Sequence, residues 1–117
     1  MREIRTNNGQ KASYDWDKMK PVQGALIVKW TSESATTAGG LYRPDMSIRW
    51  DIIGEVLKVG KKPADAKIDH IAEFDRVVAN PLWGTLVFEG EEIDGDEKRN
   101  VVIKIIGWND VMATVEA

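Results

Sequence analysis

The sequence contains one histidine, His70, and Asp65, Asp69 and Glu73 lie close to it on either side. Imidazole beside carboxylates is the raw material of a metal site or an acid–base pair. One histidine cannot supply a two-histidine metal set, and any Ser-His triad would have to run through this residue. In a charged surface loop it is read as solvated. The chain has no cysteine, which removes disulfides, thiolate zinc sites and thiol nucleophiles together. A second candidate is the acidic series Glu89, Glu91, Glu92, Asp94, Asp96 and Glu97, which could attract calcium. It lacks the ligand order of an EF-hand and reads as a solvated hairpin tip. Trp16, Trp30, Trp50, Trp83 and Trp108 could stack on bases or sugars, but large aromatics usually serve cores and interfaces. These residues give no catalytic group, no metal ligand set and no cofactor site.

The charge balance points the same way. The net charge is -3, the pI is about 5.2, and basic residues are scattered rather than gathered into a stripe. A surface built to neutralise phosphates needs the opposite, so nucleic acid is not expected as a partner. No apolar run is long enough to span a bilayer, and Met1-Arg-Glu-Ile-Arg-Thr lacks the apolar core of a secretory signal. The expected compartment is the cytoplasm. At 117 residues, with 43% apolar and 30% charged residues, the chain is sized for one domain with a real core.

Stepping along the chain gives strands and turns. Residues 1–20 show no sustained period and read as an N-terminal extension, with one short strand near Ile4. From Pro21 the pattern changes, and Leu26, Val28 and Trp30 alternate with Ile27 and Lys29 as in a strand. Residues 31–48 are rich in Ser, Thr and Ala and are broken by Gly39-Gly40 and Pro44. Such a stretch buries too little apolar surface to offset an ordering cost of roughly 1–2 kcal/mol per residue, so a mobile loop is expected. A loop of this length inside a compact domain signals either a functional element or a wrong assignment of its elements. A second strand is predicted over residues 52–60, and residues 61–74 form either one helical turn or a covering loop. Further strands are predicted over 75–79, 85–89 and 101–106. The last two are joined by a hairpin connector containing Asp94-Gly95, and a short terminal strand follows at 111–116. Short strands joined by Gly-, Pro- and Asn-marked turns indicate an all-β barrel or sandwich over residues 21–117.

Several of these segments carry a resemblance. Pro21-Val-Gln-Gly-Ala-Leu-Ile-Val-Lys29 resembles the opening strand of GroES-type co-chaperonins, and Ala38-Gly39-Gly40-Leu41 resembles the tip of that family's mobile loop. Gly54-Glu55-Val56-Leu57-Lys58-Val59-Gly60 is similar to its Gly-x-Val-x-x-Val-Gly strand. Asp75-Arg76-Val77-Val78 sits where the family carries Gly-Asp-x-Val, and Asn109 to Glu116 resembles the C-terminal pattern. In order and at nearly the family's spacing, these fragments cover most of residues 21–117. The departures are Arg43 where a third apolar loop residue is usual, with Met46 or Ile48 as substitutes, a shorter roof segment at 61–74, the N-terminal extension and the acidic hairpin.

The resemblance implies a GroES-like, partly open β-barrel and a homoheptameric ring. It implies a loop whose Gly39, Gly40, Leu41, Tyr42 and Arg43 dock on a GroEL-type chaperonin carrying ATP or ADP, with unfolded client proteins enclosed beneath. It also implies a subunit interface in which Pro21, Val22, Ala25 and Leu26 meet Met112, Thr114 and Val115 of a neighbour. The chain would then be no enzyme, working in the cytoplasm, or in a host's cytoplasm if it is viral. Other readings stand beside this one. Leu41 and Tyr42 could pack back on the barrel. The barrel could bind a ligand or nucleic acid, which would call for a basic or aromatic groove. It could be an oligomeric structural protein of phage assembly without a chaperonin partner. A GroES-like dehydrogenase would need a nucleotide-binding βαβ domain and metal ligands, and this chain shows neither.

Overall fold

In the computed structural model the described residues are 3–6, 14–32 and 50–116. The docking residues expected at Gly39, Gly40, Leu41, Tyr42 and Arg43 lie outside them, as do the substitutes Met46 and Ile48.

Seven antiparallel strands form one sheet: β1 (Glu3–Thr6), β2 (Ala25–Thr31), β3 (Ile53–Val59), β4 (Arg76–Val78), β5 (Thr85–Asp94), β6 (Glu97–Gly107) and β7 (Ala113–Val115). Their order is β1-β5-β6-β2-β3-β4-β7, so β1 and β7 are the two edges. The sheet curls into the partly open, all-β barrel that the resemblance implies.

The alternation along β2 builds the core. Leu26, Val28 and Trp30 point to the inner face, where they are buried with Val56, Val77, Ala79, Val102, Ile106, Ile71, Trp108 and Val111. Trp30 fills the middle of this cluster and donates its indole N–H to the Ala79 carbonyl at 3.2 Å. That ring fixes the residue opposite. A Cβ on Gly54 would lie 2.6 Å from Val28 Cγ1 and 3.0 Å from Trp30 Nε1, so the sheet closes over the indole only where no side chain intervenes.

The outer face of β2 is buried as well, by Ile27 with Leu57, Val87, Phe88, Val101 and Ile103. Two register shifts make this second cluster. One lies in the β2–β3 pairing, between Ile27/Lys58 and Val28/Val56; the other lies in the β5–β6 pairing, between Leu86/Lys104 and Phe88/Ile103. At each bulge one strand gains an unpaired residue, so neighbours in sequence can share a face. Val87 and Phe88 do so, which simple alternation forbids. Trp16 and Met19 from the N-terminal extension pack on this cluster, around a single 3-10 turn at Trp16–Lys18. Tyr14 N–H reaches the Val87 carbonyl at 2.9 Å, and Lys58 Nζ donates to the Asp17 carbonyl. The described parts of the extension are thus a strap over the barrel, and β1, the short strand expected near Ile4, continues it along β5.

The acidic connector differs from its expectation. Residues 89–100 are almost entirely strand, and the turn is confined to Gly95-Asp96 between the paired Asp94 and Glu97. Opposite charges meet across the ladder: Glu92 faces Arg99, and Lys98, opposite Ile93, reaches Glu91 with its Nζ 3.2 Å from Oε2. Residues 61–74 resolve as the covering loop, with no helical turn. Ile71 is buried in the inner cluster, and Ala66 and Ile68 pack against it. The loop is tied to the 3-10 turn Trp108–Asp110: Trp108 Nε1 donates to the Ile68 carbonyl at 2.8 Å, and the Asn109 amide bonds Lys67 N–H and the Asp65 carbonyl.

Candidate functional site

Segment 33–49 leaves the barrel at Ser32 and returns at Trp50, and these two residues form an isolated antiparallel bridge. Three hydrogen bonds hold the base. Ser32 N–H donates to the Asn100 carbonyl at 2.9 Å, Asn100 N–H returns a bond to Ser32 Oγ at 2.9 Å, and Asp51 N–H donates to the Thr31 carbonyl at 2.9 Å. The Asp51 carboxylate then accepts from Ile53 N–H at 3.0 Å, turning the chain into β3. The Ser32 end is therefore pinned to β6, and the Trp50 end to Ser32 and to β2.

Beside this base the sheet carries a buried ion pair. Lys29, on the outer face of β2, places its ammonium 3.0 Å from Glu92 Oε1 and 3.6 Å from Glu55 Oε1. A buried ammonium is tolerable only when carboxylates replace its water. It also locks the acidic hairpin against β2 and β3. The reading of all six acidic residues as a solvated tip is corrected here, since Glu92 is buried. Among the described residues no group of three or more His, Asp or Glu is arranged to hold a metal ion. His70 is exposed in the covering loop. Its neighbour Asp69 bonds Lys62 Nζ at 2.5 Å, and that ammonium holds the Asp69 carboxyl below its ordinary range, with the His70 charge adding a smaller push. On the inner face of β6, partial burial pulls Lys104 below the usual ammonium range, partly offset by Glu89; it donates to the Pro81 carbonyl at 2.5 Å.

The residues expected at a subunit boundary fall into two groups. Val22 is 75% exposed and Met112 62%, unusual for apolar side chains of that size. Pro21 and Ala25 are half-buried, Thr114 is exposed and Val115 half-buried. β7 pairs with β4 on one side and is the last strand of the sheet, so its second edge is open. Leu26 lies elsewhere: it is fully buried in the chain's own core, and its backbone is paired with β3 on one side and β6 on the other. Val22 owes its position to a close approach. The backbone at Gly60 passes so near that a Cβ there would sit 2.1 Å from the Val22 carbonyl oxygen. Sequence reading did not single out Ile52 and Leu82, and it raised Trp83 only as one of five aromatics that could stack on bases or sugars; all three are exposed. The signal for Leu82 and Trp83 was the Asn80-Pro81 turn just before them.

No helix among the described residues is long and apolar enough to cross a membrane. No family model matches the chain. Curated relatives do. Co-chaperonin GroES of Fervidobacterium nodosum is 30% identical over 99 residues, covering 85% of this chain and 98% of the relative. Co-chaperonin GroES of Methylibium petroleiphilum is 31% identical over 99 residues, with the same coverage. Co-chaperonin GroES of Thermotoga maritima is 31% identical over 99 residues, covering 85% of this chain and 97% of the relative.

Proposed function

The chain belongs to the GroES co-chaperonin family, and on that footing we propose that it forms a homoheptameric lid for a GroEL-type chaperonin. The loop expected over 31–48 begins after Ser32, because Thr31 belongs to β2 and Ser32 is bridged to Trp50; each subunit presents segment 33–49, and Gly39, Gly40, Leu41, Tyr42 and Arg43 make the contact. ATP or ADP bound to the chaperonin selects the state that accepts the lid, and unfolded clients are enclosed beneath it in the cytoplasm. The lid carries out no reaction, and nucleotide chemistry stays with the partner. Differential affinity for two chaperonin conformations is enough to couple capping to the nucleotide cycle.

The observation that carries this reading is the Ser32–Trp50 bridge. A segment whose ends are joined on a rigid sheet can change conformation on docking without changing the barrel. The closure cost is met once, on folding, and depends weakly on length. Burying Leu41 and Tyr42 in an apolar groove is worth roughly 1.5–3 kcal/mol each, and ordering the segment costs roughly 2–5 kcal/mol. One such contact is weak, and a ring presents several.

For the ring itself, Pro21 and Val22 of one subunit meet Met112, Thr114 and Val115 of the next, with Ala25 and Leu26 as the backing layer. The exposure of Val22 and Met112 and the open edge of β7 support this arrangement. Residues 21–117 form the ring-building domain, and residues 1–20 are an addition whose described parts, 3–6 and 14–20, strap it.

Native mass spectrometry tests the proposal. The expected result is a heptameric species that joins a GroEL-type ring only with nucleotide present and loses that association on Leu41→Asp. A stable monomer showing no nucleotide-dependent association would sink it.

A further inference from the structure

Lys20, Lys58 and Lys61 converge with Pro21 and Glu73 around a cleft of about 340 Å³ at the end of β3. Three ammonium groups against one carboxylate leave the cleft positive. Lys58 spends one donor on the Asp17 carbonyl, which holds its stem against the N-terminal strap. Lys20 and Lys61 are exposed and have no ion-pair partner among the described residues. The cleft adjoins Pro21, where the subunit contact proposed above begins.

The complementary charge sits at the other end of the molecule's sequence. Glu116 directly follows β7, the edge strand, and is exposed. β7 is only three residues long. A strand that short specifies its register weakly, and a slip by one residue would turn every side chain to the opposite face. An ion pair just beyond its end would remove that ambiguity, because only one register brings the carboxylate to the cleft.

We propose that the lysine cleft seats Glu116 of a second copy of this chain, so that ring closure is steered and set in register by charge. This rests on the ring reading above. In the assembled contact Val22 and Met112 supply apolar burial, while Lys20, Lys58 and Lys61 supply direction and association rate. Because Lys20, Lys61 and Glu116 lie at an exposed rim, the pairing weakens as salt rises.

The test compares the wild-type chain, Lys61→Glu, Glu116→Lys and the double swap by sedimentation velocity from low to high NaCl, with circular dichroism confirming the fold of each. Lys61 and Glu116 contribute no side chain to the core, so both variants are expected to fold. Each single reversal is expected to weaken subunit association roughly tenfold at low salt, the double swap to restore it, and salt to dissociate the wild type. Single reversals that leave association unchanged, or losses the double swap fails to rescue, overturn the charge pairing while leaving the ring reading standing. A wild type that is monomeric at every salt concentration overturns both.

Discussion

Lys29 and Glu92 are joined by a 3.0 Å ion pair across the outer face of the barrel, with side chains only 7% and 6% exposed. Removing one partner of a buried pair typically costs roughly 3–5 kcal/mol, because the other charge is stranded. Here Glu55 stands 3.6 Å away and is about one-third exposed, so it takes over part of the ammonium. Glu92→Ala is therefore expected to cost about 2 kcal/mol. Lys29→Met combined with Glu92→Leu recovers most of that loss. Urea unfolding at fixed protein concentration measures both; equal midpoints for wild type and Glu92→Ala would show that the pair carries no stability.

Gly54→Ala and Gly60→Ala should fail differently. The new methyl at residue 54 meets Val28 Cγ1 at 2.6 Å, a side-chain contact that repacking can relieve at a cost of roughly 1–3 kcal/mol. At residue 60 it meets the Val22 carbonyl at 2.1 Å and the Ala25 carbonyl at 2.8 Å, backbone that cannot yield locally. Gly60→Ala is expected to displace the Val22 turn and so to lower both melting temperature and ring content, whereas Gly54→Ala lowers melting temperature alone. Thermal unfolding and native mass spectrometry on the same samples separate the two.

The parts of the fold legible in the sequence are those whose period survives. Leu26, Val28 and Trp30 against Ile27 and Lys29 announced both faces of β2, whereas the close approaches at Gly54, Gly60 and Gly84 come from strands that meet only in the folded sheet. The hairpin was read too short because charge was taken as a sign of loop. Glu91 and Lys98 are charged because they pair across a ladder, and Glu92 because Lys29 lies beneath it. Val87-Phe88 broke alternation at a bulge, which a period-2 reading cannot anticipate. Trp16 and Met19 gave no periodic signal because they pack on the outer cluster from a short 3-10 turn and the residue after it, too brief to show a period. The docking residues Gly39 to Arg43 rest on family resemblance alone, since Gly39-Gly40 has no pattern beyond that of any turn, and they lie outside the described residues.

Val22→Asp and Met112→Asp test the subunit contact. Both side chains are mostly exposed in the single chain, so a charge there costs the isolated barrel little. In the ring it would be desolvated and unpaired. The expected outcome is a folded monomer with an unchanged circular dichroism spectrum; retention of the ring by both variants would move the contact elsewhere.

Asp69 offers a pH test. Lys62 lowers its folded carboxyl below the ordinary range. Any stability from the pair is complete above that range and is lost as pH falls through the lowered folded value. The group is fully exposed, so the effect on stability is small and best read spectroscopically. An NMR titration of the Asp69 carboxyl is expected to fall below that of Lys62→Ala, with high salt erasing the difference. Identical titrations at low salt would show the pair to be absent in solution.

The number of copies matters more for capping than the strength of any one tip. A free peptide spanning residues 31–48 contains the proposed contact residues, but it must meet the cost of ordering at every binding event and has no tether. In the proposed ring, docking of one segment would place its neighbours at high effective concentration, multiplying apparent affinity by roughly 10²–10⁴ for each linked pair that can engage together. The pinned ends at Ser32 and Trp50 narrow the freedom that each segment must lose. The peptide is therefore expected to bind a nucleotide-loaded chaperonin at least roughly a hundredfold more weakly than the intact ring does. Rings assembled from mixtures of wild-type and Leu41→Asp chains should lose affinity steeply with each inactive subunit, as titration calorimetry or surface plasmon resonance would record. Equal affinities for peptide and ring would mean that subunits dock one at a time, and the multivalent lid would have to be given up.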